Sequence, residues 1–137
     1  MNTFVWPVRV YYEDTDLGGI VYHANYLKFM ERGRTEWLRA LGFDQSRLKL
    51  ELGMIFVVRS VQIEYEKPAQ FDDKLEIVTR VTAHRRASLV FDQSIHRTEP
   101  ESAILTKAQV KVACLDSETL KPRAIPDQIR LELTHVG

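Results

Sequence analysis

The chain has 137 residues, of which 45% are hydrophobic, and its 19 basic residues balance 19 acidic ones. This length predicts one domain over residues 1–137, and the lack of a basic surplus argues against nucleic acid or an anionic membrane as the main partner. The single cysteine, Cys114, excludes an intrachain disulfide and fits a reducing compartment, so we expect a cytoplasmic protein. We expect no signal peptide and no membrane insertion, because no stretch approaches the roughly 20 apolar residues of a membrane span.

The first predicted element is a strand that begins after Pro7. Val8, Val10 and Tyr12 alternate with Arg9, Tyr11 and Glu13, which is the period of two typical of a strand. An acidic loop with two glycines follows at residues 14–19, and it leads into the longest helical pattern of the chain.

This pattern predicts a helix from about Asn25 to Leu41, with Asn25 as its N-cap and Gly42 as its left-handed stop. Its apolar stripe consists of Tyr26, Phe29, Met30, Gly33, Trp37 and Leu41. The charged residues Glu31, Arg32, Arg34 and Glu36 are predicted to form a solvated or interface surface. A short second helix from about Gln45 to Leu52 is predicted between Asp44 as cap and Gly53 as stop.

Beyond Gly53 the hydrophobic period becomes two, which predicts four successive strands and a short terminal helix near residues 128–133. The inward rows are Val61, Ile63 and Tyr65; Leu75, Ile77, Thr79 and Val81; Leu89, Phe91, Gln93 and Ile95; and Thr106, Ala108, Val110, Val112 and Cys114. Short loops predict that neighbouring strands pair in an antiparallel sense. One apolar sheet face and one long helix predict an α+β fold in which the antiparallel sheet wraps around the central helix.

Asp16 and His23 are the first candidates for chemistry. A carboxylate close to the start of a helix can act as nucleophile or general base, while the helix start offers N–H donors to a developing oxyanion. The alternative for Asp16 is an ordinary turn residue, and for His23 a capping or packing role. Tyr22 either lines a pocket or packs on the sheet.

Two small basic groups are candidates for binding phosphates. Arg85 and Arg86, with Ser88 close behind, lie at a strand end, and Lys121 and Arg123 lie near the C-terminus. Surface solvation is the alternative for both groups. The four histidines, His23, His84, His96 and His135, are scattered without ligand spacing, so no metal site is predicted. No phosphate-binding loop, G-x-G-x-x-G or G-x-S-x-G motif is present.

The stretch from Tyr12 to Tyr26 closely resembles the signature of hotdog-fold acyl-CoA thioesterases of the 4-hydroxybenzoyl-CoA thioesterase type. Other segments resemble the bacterial branch of that family associated with the Tol–Pal cell-envelope system. They are residues 31–39, 56–59, 88–91 and 121–124. The resemblance covers nearly the whole chain, and the predicted order of strand, long helix and four strands agrees with the hotdog fold.

The resemblance implies that Asp16 is the catalytic aspartate and that the backbone N–H of His23, next to Tyr22, polarises the thioester carbonyl. In the 4-hydroxybenzoyl-CoA enzyme a tyrosine stands where this chain has His23, which argues against that substrate. Arg85, Arg86 and Ser88 match a region that contacts the CoA phosphates, and Lys121 and Arg123 match a second such region.

The resemblance also implies a homodimer or homotetramer whose active sites lie between subunits. The implied reaction is hydrolysis of a short-chain or otherwise small acyl-CoA, without a metal or organic cofactor. Acyl carrier protein is a possible partner, so one alternative is an interaction module for acyl carrier protein or an envelope-linked protein, with incidental hydrolysis. A hotdog dehydratase is a further alternative, but its chemistry needs an acid–base partner for His23 that the sequence does not supply.

Overall fold

The computed structural model describes residues 2–134, so His135 and the ends of the predicted domain lie outside the described residues. The strands are β1 (Phe4–Arg9), β2 (Met54–Tyr65), β3 (Lys74–Arg85), β4 (Ser88–Glu99) and β5 (Ala103–Asp116). The helices are α1 (Asn25–Ala40), α2 (Gln45–Arg47) and α3 (Asp127–Thr134); a 3₁₀ turn spans Tyr12–Asp14, and α2 continues as a π-helical turn over Leu48–Leu52. Within these residues no helix has both the length and the apolar character needed to cross a membrane.

The five strands form one antiparallel sheet in the order β1-β3-β4-β5-β2. The prediction that each strand pairs with the next holds for β3, β4 and β5 but is wrong for β2, which pairs with β5 at the far edge. The connection after β2 crosses back, and it is held there because the N–H groups of Glu66 and Lys67 donate to the Leu105 carbonyl at 2.8 and 3.1 Å. This crossing leaves β2 as an open edge.

Helix α1 packs its apolar stripe on the concave face of the sheet, as predicted. Tyr26, Phe29, Met30 and Trp37 are buried there. Gly33 permits this close approach, since a Cβ atom at that position would lie 2.9 Å from Ile77 Cγ2. The α+β arrangement of a sheet wrapped around one long helix is therefore the observed fold.

Two local predictions differ from the structure. Tyr12 belongs to the 3₁₀ turn instead of the first strand, and Pro7 lies inside β1 opposite Glu76. An internal proline is tolerated there because β1 is an edge strand, so the backbone groups on its outer side form no hydrogen bonds with another strand. Asn25 is the first residue of α1 and not its cap; the N-cap is Ala24, and no side chain caps it.

Other boundaries agree with the sequence patterns. Asp44 caps α2 by accepting from the N–H groups of Ser46 and Arg47, and Gly53 ends the π-helical turn at a φ of +63°. Gly42 has a φ of +92° just beyond α1, which is the left-handed conformation that glycine adopts without strain.

Candidate active site

The acidic loop between β1 and α1 is anchored at both ends to the segment that precedes β3. Val10 exchanges two backbone hydrogen bonds with this segment, donating to the Asp73 carbonyl and accepting from the Asp72 N–H, both at 3.0 Å. At the other end, the Val21 N–H donates to the Ala69 carbonyl at 2.9 Å. The loop is therefore fixed to the segment that leads into β3, which favours precise placement of its side chains.

Asp16 lies at the tip of this loop in a tight turn. Its backbone N–H donates to the Ile20 carbonyl, and its carbonyl accepts from the Gly19 N–H, both at 3.0 Å. One carboxylate oxygen, Oδ1, accepts from the Gly18 N–H at 2.8 Å. The second oxygen, Oδ2, has no hydrogen-bond partner among residues 2–134, and the side chain is exposed. The carboxylate is thus oriented by one bond and has one oxygen free to react.

The start of α1 presents backbone donors beside this loop. The Asn25 N–H donates to the Tyr22 carbonyl at 2.8 Å, whereas the N–H groups of His23 and Ala24 find no acceptor in the part of the chain that the structure describes. Free N–H groups at a helix start, with the positive end of the helix dipole behind them, suit a developing negative charge.

Side chains around the helix start hold it in place. Asn25 Nδ2 donates to the Asp14 carbonyl at 2.9 Å, which ties α1 to the acidic loop. The Tyr65 hydroxyl, at the end of β2, donates to the His23 carbonyl at 2.9 Å. Sequence reasoning placed Tyr65 in an inward row but gave it no part in the site, because nothing in its local pattern reveals a contact 42 residues away.

The rings of Tyr22 and His23 lie together on the surface, with centroids 4.5 Å apart. Both residues are exposed, so Tyr22 does not pack on the sheet. The His23 and Tyr65 rings form an edge-to-face pair with centroids 6.4 Å apart. This arrangement makes an aromatic wall beside the free N–H groups.

The predicted phosphate-binding residues are only partly brought together. Arg86, Lys121 and Arg123 line one shallow concave surface, where these cations outnumber the carboxylates Asp116 and Asp127. The Ile125 N–H donates to the Arg86 carbonyl there at 2.8 Å. Arg123 also donates to the Leu52 carbonyl. Arg85 and Ser88 face each other across the β3–β4 hairpin and do not line this surface.

This basic surface and Asp16 lie at opposite ends of the sheet within one subunit. The acidic loop contacts the start of β3 near Asp73, and Arg85 is the last residue of that strand. At a rise of roughly 3.3 Å per residue, the twelve residues of β3 separate the two groups by on the order of 35 Å. One chain alone therefore does not unite Asp16 with these cations.

Arg34 is a feature that sequence reasoning missed. The charge pattern of α1 predicts a solvated or interface surface for Arg34, yet its side chain is half-buried and its Nη1 donates to Gln93 Oε1 at 2.8 Å. Burial lowers the pKa of the Arg34 guanidinium, and the nearby charge of Glu31 opposes that change. Among residues 2–134, no group of three histidine, cysteine, aspartate or glutamate side chains is placed to hold a metal ion.

Comparison with known proteins places this fold in a family. The model of the Thioesterase superfamily matches residues 18–104. The acyl-CoA thioester hydrolase YbgC of Escherichia coli O157:H7 is 52% identical over 134 residues, which cover 96% of this chain and 98% of that protein. The acyl-CoA thioesterase YbgC of Haemophilus influenzae is 46% identical over 135 residues, covering 98% of this chain and 97% of the relative.

Solved structures of thioesterases have the same fold as this chain. A probable thioesterase from Bartonella henselae is 39% identical with a TM-score of 0.85, over 91% of this chain and all of the other. The 4-hydroxybenzoyl-CoA thioesterase from Pseudomonas sp. strain CBS-3 is 25% identical with a TM-score of 0.88, over 96% and 99% of the two chains. The fold is thus that of a hotdog thioesterase.

The chain belongs to the Thioesterase superfamily, among the relatives of the YbgC acyl-CoA thioesterases. The predictions of a hotdog fold and of an enzyme that hydrolyses thioesters are confirmed by these relatives. The link to the Tol–Pal system, the single domain over residues 1–137 and the cytoplasmic location stay predictions.

Proposed function

We propose that this protein hydrolyses short-chain or otherwise small acyl-CoA thioesters, with Asp16 as the catalytic carboxylate. The observation that carries the proposal is the pairing of a carboxylate with one free oxygen and a helix start with two free N–H groups on one anchored segment. A thioester carbonyl lacks amide resonance, so one carboxylate and one oxyanion donor suffice to attack it.

Asp16 can act in two ways. As a general base, its free oxygen takes a proton from a water whose oxygen adds to the carbonyl carbon; the C–S bond then breaks, and CoA leaves as a thiolate that takes up a proton. As a nucleophile, Asp16 forms a mixed anhydride and expels CoA, after which water cleaves the anhydride. Both routes give the same products, the free acid and CoA.

The N–H of His23 stabilises the oxyanion formed in either route. One such donor is typically worth roughly 3–4 kcal/mol in the transition state. The contact from the Tyr65 hydroxyl to the His23 carbonyl fixes the orientation of the adjoining peptide, and Tyr22 forms a wall of the site.

We also propose that the enzyme is at least a homodimer formed through the edge of β2. That edge is long and exposes Val58 and Val61, so it favours pairing with another strand. Tyr65 at one end of β2 contacts His23, while Met54 at the other end pairs with Asp116 beside the basic surface. Antiparallel pairing of two β2 strands would therefore place Asp16 of one subunit beside the partner's basic surface.

In that arrangement Arg86, Lys121 and Arg123 bind the phosphates of CoA, because guanidinium and ammonium groups are the usual ligands of phosphate. Arg85 and Ser88 lie outside this surface on the β3–β4 hairpin, and their part in binding CoA rests on the resemblance alone. The role of the three cations rests on the resemblance and on the one concave surface that they share.

The test is release of free CoA from a panel of acyl-CoA esters, from acetyl to palmitoyl and benzoyl, by the wild type, Asp16→Asn and Glu13→Gln. Glu13 is an exposed acid of the same loop, so its variant is the matched control. We expect Asp16→Asn to lose turnover by about 10²–10⁴-fold, and Glu13→Gln to retain it. Full turnover by Asp16→Asn would contradict the proposal. No turnover on any CoA ester would contradict it as well and would favour acyl carrier protein as the carrier of the acyl group.

A further inference from the structure

A cavity of about 210 Å³ lies between α1, the first half of β2 and the sheet. Its deep part is apolar and includes Leu38, Leu89, Phe91 and Val112, while Phe56 and Val58 of the open edge strand lie near its mouth. An apolar cavity of 150 Å³ holds benzene, so this one has room for roughly eight non-hydrogen atoms. That is the size of a short acyl group and too small for a long chain.

Arg34 adds a positive charge to the lining of this cavity. Arg34 lines the cavity, and its guanidinium forms no ion pair with any carboxylate among residues 2–134. Its one hydrogen-bond partner there is the neutral amide oxygen of Gln93. A guanidinium has five N–H donors, so most of its donor capacity is not used by the described residues.

The Gln93 side chain fixes the position of that charge. Gln93 Nε2 donates to the Met30 carbonyl at 2.9 Å and to Thr79 Oγ1 at 2.8 Å, which leaves Oε1 directed at Arg34. Gln93 and Thr79 are both buried. A buried polar network of this kind holds the guanidinium in one orientation beside the apolar lining.

Glu31 is the only carboxylate among the residues that line the cavity, and it lies on the solvent side. Its Oε2 accepts a hydrogen bond from Thr35 Oγ1 at 3.2 Å instead of pairing with Arg34. Water screens an exposed carboxylate, so its repulsion of an anionic ligand inside the cavity is weak.

Resting on the proposed function, we propose that this cavity holds the acyl group and that Arg34 binds a carboxylate at its far end. The preferred substrates are then short dicarboxylic acyl-CoA thioesters. A planar guanidinium binds a carboxylate through two parallel hydrogen bonds, and the apolar lining accommodates the methylene groups between the two ends.

The route from the catalytic carboxylate to this cavity passes between subunits. The mouth is lined by Phe56 and Val58, near the opposite end of β2 from Tyr65 and His23. The antiparallel β2 pairing proposed above brings these two ends together. The acyl group bound in one subunit would therefore be attacked by Asp16 of its partner.

The test compares glutaryl-CoA with pentanoyl-CoA, which have the same number of acyl carbons but differ in the terminal carboxylate. The wild type should prefer glutaryl-CoA in kcat/KM, and Arg34→Met should lower the glutaryl-to-pentanoyl ratio by about tenfold or more. Arg34→Lys, which keeps the charge, should give an intermediate ratio. The control is Arg32→Met, since Arg32 lies on the exposed side of α1 over the Phe29 ring and does not line the cavity.

Binding of glutarate esters provides a test that does not depend on catalysis. Monomethyl glutarate keeps one carboxylate, whereas dimethyl glutarate has none and is of similar size. By NMR titration, the wild type should bind monomethyl glutarate more tightly than dimethyl glutarate by about tenfold, and Arg34→Met should lose that preference. Equal affinity of the wild type for the two esters, or an unchanged kcat/KM ratio in a folded Arg34→Met, would overturn the inference. Turnover that survives in Asp16→Asn would instead overturn the proposed function, so the two failures are distinguishable.

Discussion

At the scale of single residues, Gly33 decides how closely α1 approaches the sheet. A Cβ atom there would lie 2.9 Å from Ile77 Cγ2, 3.1 Å from Thr79 Oγ1 and 3.3 Å from Gln93 Nε2. All three neighbours are buried, so none can move away freely. The same contacts hold the network that positions Arg34, which makes this glycine part of the cavity's architecture.

We therefore expect Gly33→Ala to destabilise the protein. Alanine improves helix propensity by up to about 1 kcal/mol, but overpacking of a core costs about 1–3 kcal/mol, so the net free energy of unfolding should fall. Urea unfolding with an unchanged m-value measures the difference. Lys28→Ala, on the exposed side of α1, is the control and should change stability little. A Gly33→Ala variant more stable than the wild type would mean that α1 can shift away from the sheet without a loss of packing energy.

The sequence predicts Asp16 and His23 as site residues but does not predict what surrounds them. Their motif is contiguous, so the loop and the helix start could be predicted from residues 12–26 alone. The burial of Arg34 could not be predicted, because its position in the charge pattern of α1 does not distinguish it from its solvated neighbours. Its burial depends on Gln93, which lies 59 residues away on β4 and offers no local signal.

At the scale of elements, the period-two rows on β3, β4 and β5 predicted buried faces that the structure has, from Leu75 to Cys114. The pairing of β2 could not be predicted in the same way. Alternation says which side of a strand is buried but not which strand lies next to it. That neighbour is set by the crossing connection, whose backbone hydrogen bonds to Leu105 join residues about 40 positions apart.

The turn after β5 carries a pH-dependent contribution to stability. Asp116 Oδ1 accepts from the N–H groups of Thr119 and Glu118, both at 2.9 Å, and these bonds hold the pKa of the Asp116 carboxyl below its usual value. A depressed pKa in the folded state contributes stability above the unfolded pKa of about 3.9, which is lost as the pH falls through the lower folded value.

We expect the stability difference between the wild type and Asp116→Asn to be largest near neutral pH. It should shrink as the pH falls from about 5 to about 2, because asparagine does not titrate. Urea unfolding at several pH values measures this difference. A difference that stays constant across the range would show that the charge of Asp116 contributes nothing to the turn.

At the scale of the whole molecule, the separation of Asp16 from the cations Arg86 and Lys121 predicts that active sites are shared between subunits. A mixed dimer of Asp16→Asn with Arg86→Ala/Lys121→Ala would contain one site in which all three residues are intact. Random exchange in an equal mixture makes about half of the dimers mixed, so activity should return to about a quarter of the wild-type value.

The measurement is thioester hydrolysis at a low acyl-CoA concentration after unfolding and refolding the two variants together. Each variant refolded alone is the control. If the mixture is no more active than the sum of the two controls, then Asp16 and the basic surface either act within one subunit or do not belong to the same active site. The proposed pairing through β2 would then be wrong.

The catalytic role proposed for Asp16 is tested most directly by measuring substrate binding and thioester cleavage separately. The affinity for a non-hydrolysable acyl-CoA thioether and the single-turnover rate of thioester cleavage are measured on the wild type and Asp16→Asn. We expect similar affinity, because Asp16 does not line the basic surface, together with cleavage slower by about 10²–10⁴-fold. Cleavage at the wild-type rate by Asp16→Asn would contradict the assignment of Asp16 as the catalytic carboxylate.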